Sequence, residues 1–289
     1  MRDDRICLMG SSMEYEWQPV RPAHSIECVA TVINYSEPLS EFLVKRIIRK
    51  AESLAPSGGL TERSDVRTFQ IPALMPDAAH QIRSQFDGIA FQKLGQTTPQ
   101  GRVLLEDLVV SRSELVYRKY DYNRWSDYAS SLSALLLPLA EISADATTVR
   151  ALRLEYLDRF IIEQRSPGCV KKLLRENPMV ANHVFEAPDL WHSHTGKIDT
   201  IETDQLLTQI NIDFVSALQA QAEMTGVHSV AITTGLERRY SQNELDVESK
   251  GVTYIADHLL DLHVKSKNLF KDILTPEMAS RVGLGDVND

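Results

Sequence analysis

The sequence is poor in cysteine and has no long apolar run, and both absences restrict the class of protein that it encodes. Three cysteines, Cys7, Cys28 and Cys169, are spread over 289 residues without a CxxC pair, so we expect free thiols in a reducing cytosol. No run approaches the ~18 apolar residues of a membrane-spanning helix, and the first residues lack the apolar segment of a signal peptide. The sequence therefore predicts a soluble, cytoplasmic protein without a membrane partner.

The short motifs of several common enzyme classes are also missing. There is no G-x-S-x-G of a serine hydrolase and no G-x-G-x-x-G of a dinucleotide site. The segment Thr195-Gly196-Lys197 lacks the upstream glycine of a phosphate-binding loop and is followed by Ile198 instead of Ser or Thr. We therefore assign no catalytic residue and no cofactor, and we favour a protein that is not an enzyme.

The sequence also has fewer basic than acidic residues. The formal net charge is −9 and the sequence pI is about 5.4. Binding to phosphate backbones or anionic membranes needs a positive field, so we do not expect nucleic acid as a partner. A basic helical face at Lys45, Arg46, Arg49 and Lys50 is the surface that a nucleic-acid-binding regulator would use.

The clearest element that is present is one long strand at residues 147–164. Its side chains alternate between an apolar side and a charged side, as they do when successive residues of a strand point to opposite faces. Arg153, Glu155 and Arg159 share the charged side, and Asp158 is a polar exception on the other side. No Gly or Pro interrupts the segment, which favours a central, paired strand. The apolar side carries Leu152, Leu154, Tyr156, Phe160 and Ile162.

Other patterns place this strand in a mostly antiparallel sheet. Three strand-like segments within residues 88–119 are joined by connections too short for parallel crossovers, so they predict an antiparallel meander. Helical spacing predicts a helix capped by Ser36, others at 122–141 and 249–273, and a terminal turn capped by Thr275. The result is an α+β fold in which long amphipathic helices pack on one face of the sheet. Further strands are predicted at 25–34, 190–199, 206–214 and 227–240, and a loop at 55–65.

The order of elements suggests an internal division of the chain. A strand-strand-strand-helix run occurs twice, so two similar β-β-β-α halves are expected, although we find no residue-level identity between them. The predicted units are an N-terminal arm (1–22), a first α+β half (23–165), a connector (166–188) and a second α+β half (189–289). The alternative is that both halves form one compact domain.

Four segments share their order and spacing with one known family across roughly residues 20–280. They read SIECVATVINY, WSDYASSLSALLLPLAE, ALRLEYLDRF and HLLDLHVKSKNLFKDILTPEM. On this ground the chain resembles the sporadically distributed family of uncharacterised prokaryotic proteins. Asp158 stands where that family has Asn, and the segment PVRPAHSIE departs from its usual proline-rich opening. The resemblance implies the fold and no established reaction, and the patchy occurrence of the family implies a link to defence or mobile-element genes.

The charged side of the strand is the first candidate binding surface. Arg153, Glu155 and Arg159 share one side, and Arg238 and Arg239 on a later strand would add to it if the two strands are neighbours. Two arginines there could bind a carboxylate or a phosphate of a ligand or partner. The alternative is cross-strand charge pairing, which stabilises a sheet by about 0.2–1 kcal/mol per pair.

Two histidines form the second candidate site. His192 and His194 lie two residues apart, so on a strand both imidazoles face one side and could bind one metal ion, with Asp199 or Glu202 as a nearby carboxylate. A catalytic zinc usually has three protein ligands, and no familiar third histidine follows. The alternative is a pair of half-exposed strand histidines. His263, on the apolar side of the last helix, is expected to be a core histidine.

These observations favour a non-enzymatic binding or regulatory accessory protein of a prokaryote. Its partner would be another protein, a second copy of itself, or an anionic ligand. A role in phage defence or on mobile elements follows from the resemblance alone. The alternative is a metal-dependent hydrolase or nuclease that uses His192 and His194, and a third class is a nucleic-acid-binding regulator.

Overall fold

The computed structural model of the protein describes residues 16–70, 83–99, 101–144, 146–163, 168–187, 190–216, 228–240 and 251–284. Ten strands within these residues form one sheet, and every strand pair among them is antiparallel. The strands are β1 (Gln18–Pro19), β2 (Ile26–Tyr35), β3 (Glu62–Gln70), β4 (Arg83–Thr98), β5 (Gly101–Ser111), β6 (Glu114–Lys119), β7 (Val149–Ile162), β8 (Trp191–Ile201), β9 (Asp204–Ser216) and β10 (His228–Arg239).

The long predicted strand is β7, and it lies in the interior of the sheet. The strand order is β3-β4-β5-β6-β2-β7-β10-β9-β8, with β1 paired to one end of β7. The meander predicted within residues 88–119 is confirmed as β4, β5 and β6. The prediction of a mostly antiparallel sheet with a few helices, an α+β arrangement, is therefore confirmed.

The two sides of β7 differ as the alternation predicted. Leu152, Leu154, Tyr156, Asp158 and Phe160 are buried, whereas the residues between them are partly exposed. We call the side of the sheet that carries these buried residues the apolar face. The opposite side, which carries Arg153, Glu155 and Arg159, is the charged face.

The helices supply the other half of the core. They are α1 (Glu41–Leu54), α2 (Trp125–Ser131), α3 (Leu137–Ala144), α4 (Val252–Ile273) and α5 (Pro276–Arg281), and a π-helical turn (Leu132–Leu136) joins α2 to α3. Two large apolar clusters result, and both include residues of the apolar face of β7. One cluster joins α1, α2, α3 and the first part of α4 to the sheet, and the other joins the end of α4 and α5 to it.

Local details differ from the sequence predictions in two places. The first helix begins at Glu41, and its N-cap is Ser40, whose hydroxyl accepts a hydrogen bond from the Leu43 amide at 3.3 Å. Ser36 was predicted in that role but instead bonds Thr148 beside the start of β7. The predicted loop at 55–65 contains a 3-10 turn and the start of β3. The cap at Thr275 is confirmed, since its hydroxyl accepts from the Met278 amide at 3.3 Å.

Strands from both predicted halves of the chain lie in the same sheet, because β7 pairs directly with β10. The division into an arm, two similar halves and a connector stays a prediction. Cys28 and Cys169 are free thiols, as expected, whereas Cys7 lies outside the described residues. None of the helices that the structure describes is long and apolar enough to cross a membrane.

Gly88 in β4 marks a close approach of two strands and gives a test of the sheet. A Cβ atom at Gly88 would lie 1.9 Å from the carbonyl oxygen of Val110 in β5, which is backbone and cannot rotate away. Gly88→Ala should therefore lower the free energy of unfolding by about 3 kcal/mol, as overpacking does. Urea unfolding measures this value.

Gly196→Ala is the matched control, because Gly196 also lies in a strand but a Cβ there would be 3.3 Å from the nearest oxygen. Its unfolding free energy should stay within about 0.5 kcal/mol of the wild type. Equal unfolding midpoints for the two variants would contradict the close packing of β4 on β5.

Candidate functional site

Arg153 lies near the middle of the charged face and is held by partners from the chain itself. Its guanidinium donates to Glu155 Oε2 at 2.6 and 3.1 Å and to the side-chain oxygen of Gln209 at 2.8 Å. Glu237 lies 3.5 Å away. Gly235 leaves the space that this guanidinium occupies, because a Cβ there would be 2.6 Å from Nη2.

Two other arginines of the charged face also form ion pairs with acidic side chains of the chain itself. Arg159 donates to Glu27 at 2.8 Å and to the Ser229 hydroxyl at 3.2 Å. Arg118 on β6 donates to both carboxylate oxygens of Asp107, at 2.9 and 2.6 Å. The premise that arginines wait here for an outside carboxylate or phosphate is therefore not met, and the binding role of Arg153, Glu155 and Arg159 stays a prediction.

Arg238 does not join this surface. Its strand is a neighbour of β7, but Arg238 lies opposite Leu152 and so points to the apolar face. There it is buried, and its Nε donates to Asp204 Oδ2 at 2.7 Å. The prediction was wrong for Arg238, because the side of a strand residue depends on the register between strands, which the sequence pattern did not show. Arg239, opposite Ala151, does lie on the charged face.

His192 and His194 do share one side of the sheet, as their spacing predicted, and the register of the strands makes that side the charged face. His192 bonds Asp213 through Nδ1, and His194 lies opposite Asn211 on β9. Within the described part of the chain, no group of three His, Cys, Asp or Glu side chains is placed to hold a metal ion. The described residues therefore give these two histidines no third ligand.

Arg153→Ala tests whether the charged face is held by its ion pairs. The change leaves Glu155 and the largely buried Glu237 without this guanidinium, so unfolding free energy should fall by about 1–2 kcal/mol. Lys197→Ala removes an exposed pair with Asp199, at 2.9 Å and with the same i, i+2 spacing, and should cost about 0.5 kcal/mol or less. Urea unfolding measures both variants. If Arg153→Ala cost no more than Lys197→Ala, the guanidinium would be available to a ligand.

A different site lies on the apolar face. A cavity of about 380 Å³, open to solvent on one side, is lined by β7, β10 and α4, by the segment that leads into β2, by the start of α2, and by the residues after α5. Its lining includes Ser25, Tyr122, Trp125, Asp158 and His263. Pockets for small organic molecules have volumes of roughly 300–1,000 Å³ and are mostly apolar with a few polar groups. The cavity has the size and the mixed lining of such a pocket.

Among the described residues that line the cavity, Asp158 is the only acidic one. It is 1% exposed, and its Oδ1 accepts a hydrogen bond from the Ser25 hydroxyl at 2.7 Å. A register shift between Ile26 and Cys28 interrupts the β2–β7 ladder at this point, just after Ser25. Burial raises the pKa of Asp158 to about 7, against which the Ser25 hydrogen bond acts weakly.

Each of the other buried acidic side chains among the described residues forms an ion pair. Glu106 lies 2.7 Å from Lys93 and 3.3 Å from Lys119. Asp107 pairs with Arg118, and Asp204 pairs with Arg238. Asp158 has no ion pair with any residue that the structure describes. A buried carboxylate without a cation is costly, so this one position departs from the pattern of the rest of the fold.

A histidine and a tyrosine form a second polar group in the cavity. The hydroxyl of Tyr156 lies 2.9 Å from Nδ1 of His263, and the imidazole stacks on Trp125 with ring centres 4.1 Å apart. Burial, helped by the charge of Lys267, lowers the pKa of His263 to about 4. Burial raises the pKa of the Tyr156 hydroxyl well above its ordinary value. Both groups are therefore neutral at pH 7 and act as hydrogen-bonding groups.

Basic side chains lie at the edge of the cavity. Arg124 and Lys267 are both in its lining and both exposed to solvent. The Arg124 guanidinium is bonded to Asp127 at 2.9 Å. One acidic side chain is thus buried in the cavity, and two basic side chains lie at its exposed edge.

The sequence patterns did not predict this cavity, although two of its residues, Asp158 and His263, were singled out. Asp158 appeared only as a polar exception on an apolar strand face, and His263 was predicted to be a core histidine. His263 is instead partly exposed and lines the cavity. The usable signal was the acid itself, because a charged residue inside a run of core positions needs a partner or a function.

Comparison with known proteins adds no assignment. No family model matches the chain, and no curated protein matches it. The resemblance drawn from the four segments stays a prediction.

Asp158→Asn tests the buried acid through the pH dependence of stability. The pKa of about 7 lies above the ordinary value of 3.8, so the folded protein holds this proton more tightly than the unfolded chain does. The resulting stabilisation is complete below about pH 4 and is lost as the pH rises to about 7. Asparagine cannot titrate, so its unfolding free energy relative to the wild type should rise by about 3 kcal/mol between pH 5 and pH 8.

Urea unfolding of both proteins at the two pH values gives this difference. His263 titrates in the opposite sense, because its lowered pKa gives stabilisation that is present above its ordinary value of 6.5 and lost as the pH falls to about 4. Both proteins keep His263, so its contribution cancels in the comparison. Parallel pH profiles for the two proteins would contradict the buried, unpaired state of Asp158.

Proposed function

We propose that this protein binds a small organic ligand in the cavity beside Asp158. The observation that carries the proposal is a fully buried carboxyl group that lines a cavity of small-molecule size and has Ser25 as its hydrogen-bond partner. A carboxyl group in such a place lowers the stability of the empty protein. Groups with strongly perturbed pKa values in a cleft are typical of functional sites.

The other polar groups of the cavity support binding. The hydroxyls of Thr234 and Ser266 lie 3.3 Å apart, and the Tyr156 hydroxyl bonds His263. These neutral groups can exchange hydrogen bonds with a ligand without a change of charge. Ring surfaces of Tyr122 and Trp125 supply apolar contact area. The role is consistent with a non-enzymatic accessory or regulatory protein, for which ligand binding would be the regulatory input.

Recognition of another protein is a second candidate, on the charged face. One observation favours it: Ala90, Val109 and Val116 form a small apolar cluster there, with Val32 and Val66 packed against it. Paired charges next to such a cluster resemble the mixed surface of a protein interface more than a site for a free anion. The metal-dependent hydrolase or nuclease has no comparable support.

A fragment screen against a cavity-filling variant tests the primary proposal. A library of neutral, cationic and anionic fragments is scored by the rise in melting temperature, because a ligand that binds only the folded state stabilises it. Ser266 is buried and lines the cavity, so Ser266→Phe should fill the space and abolish the shifts. We expect several fragments to stabilise the wild type and none to stabilise this variant.

Ser130→Phe is the matched control, since Ser130 lies on the exposed side of α2. It should keep the fragment response of the wild type. Circular dichroism confirms that both variants are folded before the screen. Fragment binding that survives in Ser266→Phe, or no stabilising fragment at all, would show that the cavity is not a ligand site.

A further inference from the structure

We infer that the ligand of the cavity is a small organic cation with N–H donors, an ammonium or an amidinium, joined to an apolar body. The inference rests on the proposed function and names its ligand class. Three observations carry it: the missing partner of Asp158, the aromatic walls, and the position of the basic residues of the chain.

The first observation is the missing partner. Glu106, Asp107 and Asp204 are the other buried acids of the described residues, and each lies within 2.7 Å of a lysine or arginine nitrogen. Asp158 is at least as buried as these three and receives only the Ser25 hydrogen bond from the residues described. A ligand cation with N–H donors would give Asp158 the kind of ion pair that lysine and arginine give to the other buried acids.

The second observation is the aromatic composition of the walls. The rings of Tyr122, Trp125, Tyr156 and Phe270 line the same cavity as Asp158. Tyr122 and Tyr156 meet edge to face, with ring centres 6.0 Å apart. The faces of aromatic rings attract cations, and the attraction grows when water is excluded. A carboxylate among aromatic rings therefore favours a cation with an apolar body over a strongly hydrated inorganic ion.

The third observation is where the chain places its own positive charge. Arg124 and Lys267 line the cavity, but both side chains are exposed, and Arg124 is bonded to Asp127. His24 and His263 also line it, and burial lowers the pKa of each, so both are neutral at pH 7. No described residue thus supplies the buried positive charge. An anionic ligand would meet the Asp158 carboxylate, which excludes it from the depth of the cavity.

Calorimetric titration at pH 8, where Asp158 is ionised, tests the ligand class. The probes are phenethylamine and benzamidine as cations, 2-phenylethanol as the neutral match and phenylacetate as the anionic one. We expect the two cations to bind the wild type and the anion not to bind. Asp158→Asn should weaken cation binding at least tenfold and leave binding of 2-phenylethanol unchanged.

Asp257→Asn is the matched control, because it makes the same change of charge on the exposed side of α4. It should bind both cations as the wild type does. The asparagine variant at position 158 should be no less stable than the wild type at pH 8, so loss of binding would not reflect unfolding.

Three results would overturn the inference. The first is that Asp158→Asn binds the cations as tightly as the wild type does. The second is that the wild type binds 2-phenylethanol as tightly as phenethylamine. The third is that neither cation binds the wild type at millimolar concentration. None of these results decides the proposed function, which the fragment screen tests separately. Fragments that bind the wild type and not Ser266→Phe would keep the cavity as a ligand site with a different ligand class.

Discussion

The pairing of β7 on both edges is the constraint on which the rest of the structure depends. With β2 on one side and β10 on the other, β7 cannot rotate about its axis, and each side chain is committed to one face. A slip of one residue would exchange the two faces and bury Arg153 and Glu155. The core, the ion pairs of the charged face and the cavity all follow from this single register.

Features with a local cause could be predicted from the sequence. Alternation within residues 149–162 was sufficient to find β7 and to sort its two faces, and Thr275 followed by Pro276 was sufficient for the start of α5. Arg238 was placed wrongly because its side depends on the register of β10 with β7, which is a property of two distant segments. Ser36 looked like a helix cap, but its hydroxyl is used by Thr148, more than 100 residues later.

The cavity could not have been predicted, for a similar reason. Its lining comes from before β2, from the start of α2, from β7, from β10, from α4 and from the residues after α5. No periodicity connects these segments. Asp158 stands out in the sequence as an acidic residue on the apolar side of a strand. Its lack of an ion pair becomes informative only when the partners of Glu106, Asp107 and Asp204 are known. An unpaired buried acid is recognised by comparison with the paired ones.

The position of Ser25 beside Asp158, and of His263 in the lining of the same cavity, also has a consequence for the order of folding. The two ends of this hydrogen-bonded site are separated by more than 130 residues, and the α4 residues of the wall follow about a hundred residues later. Contacts of such long sequence separation form late, because loop closure must precede them. During synthesis, the acid in β7 would therefore remain accessible to water, as an ionised carboxylate, until α4 has been made about 100 residues later. The charge that destabilises the finished core thus keeps this strand hydrated in the unfinished chain.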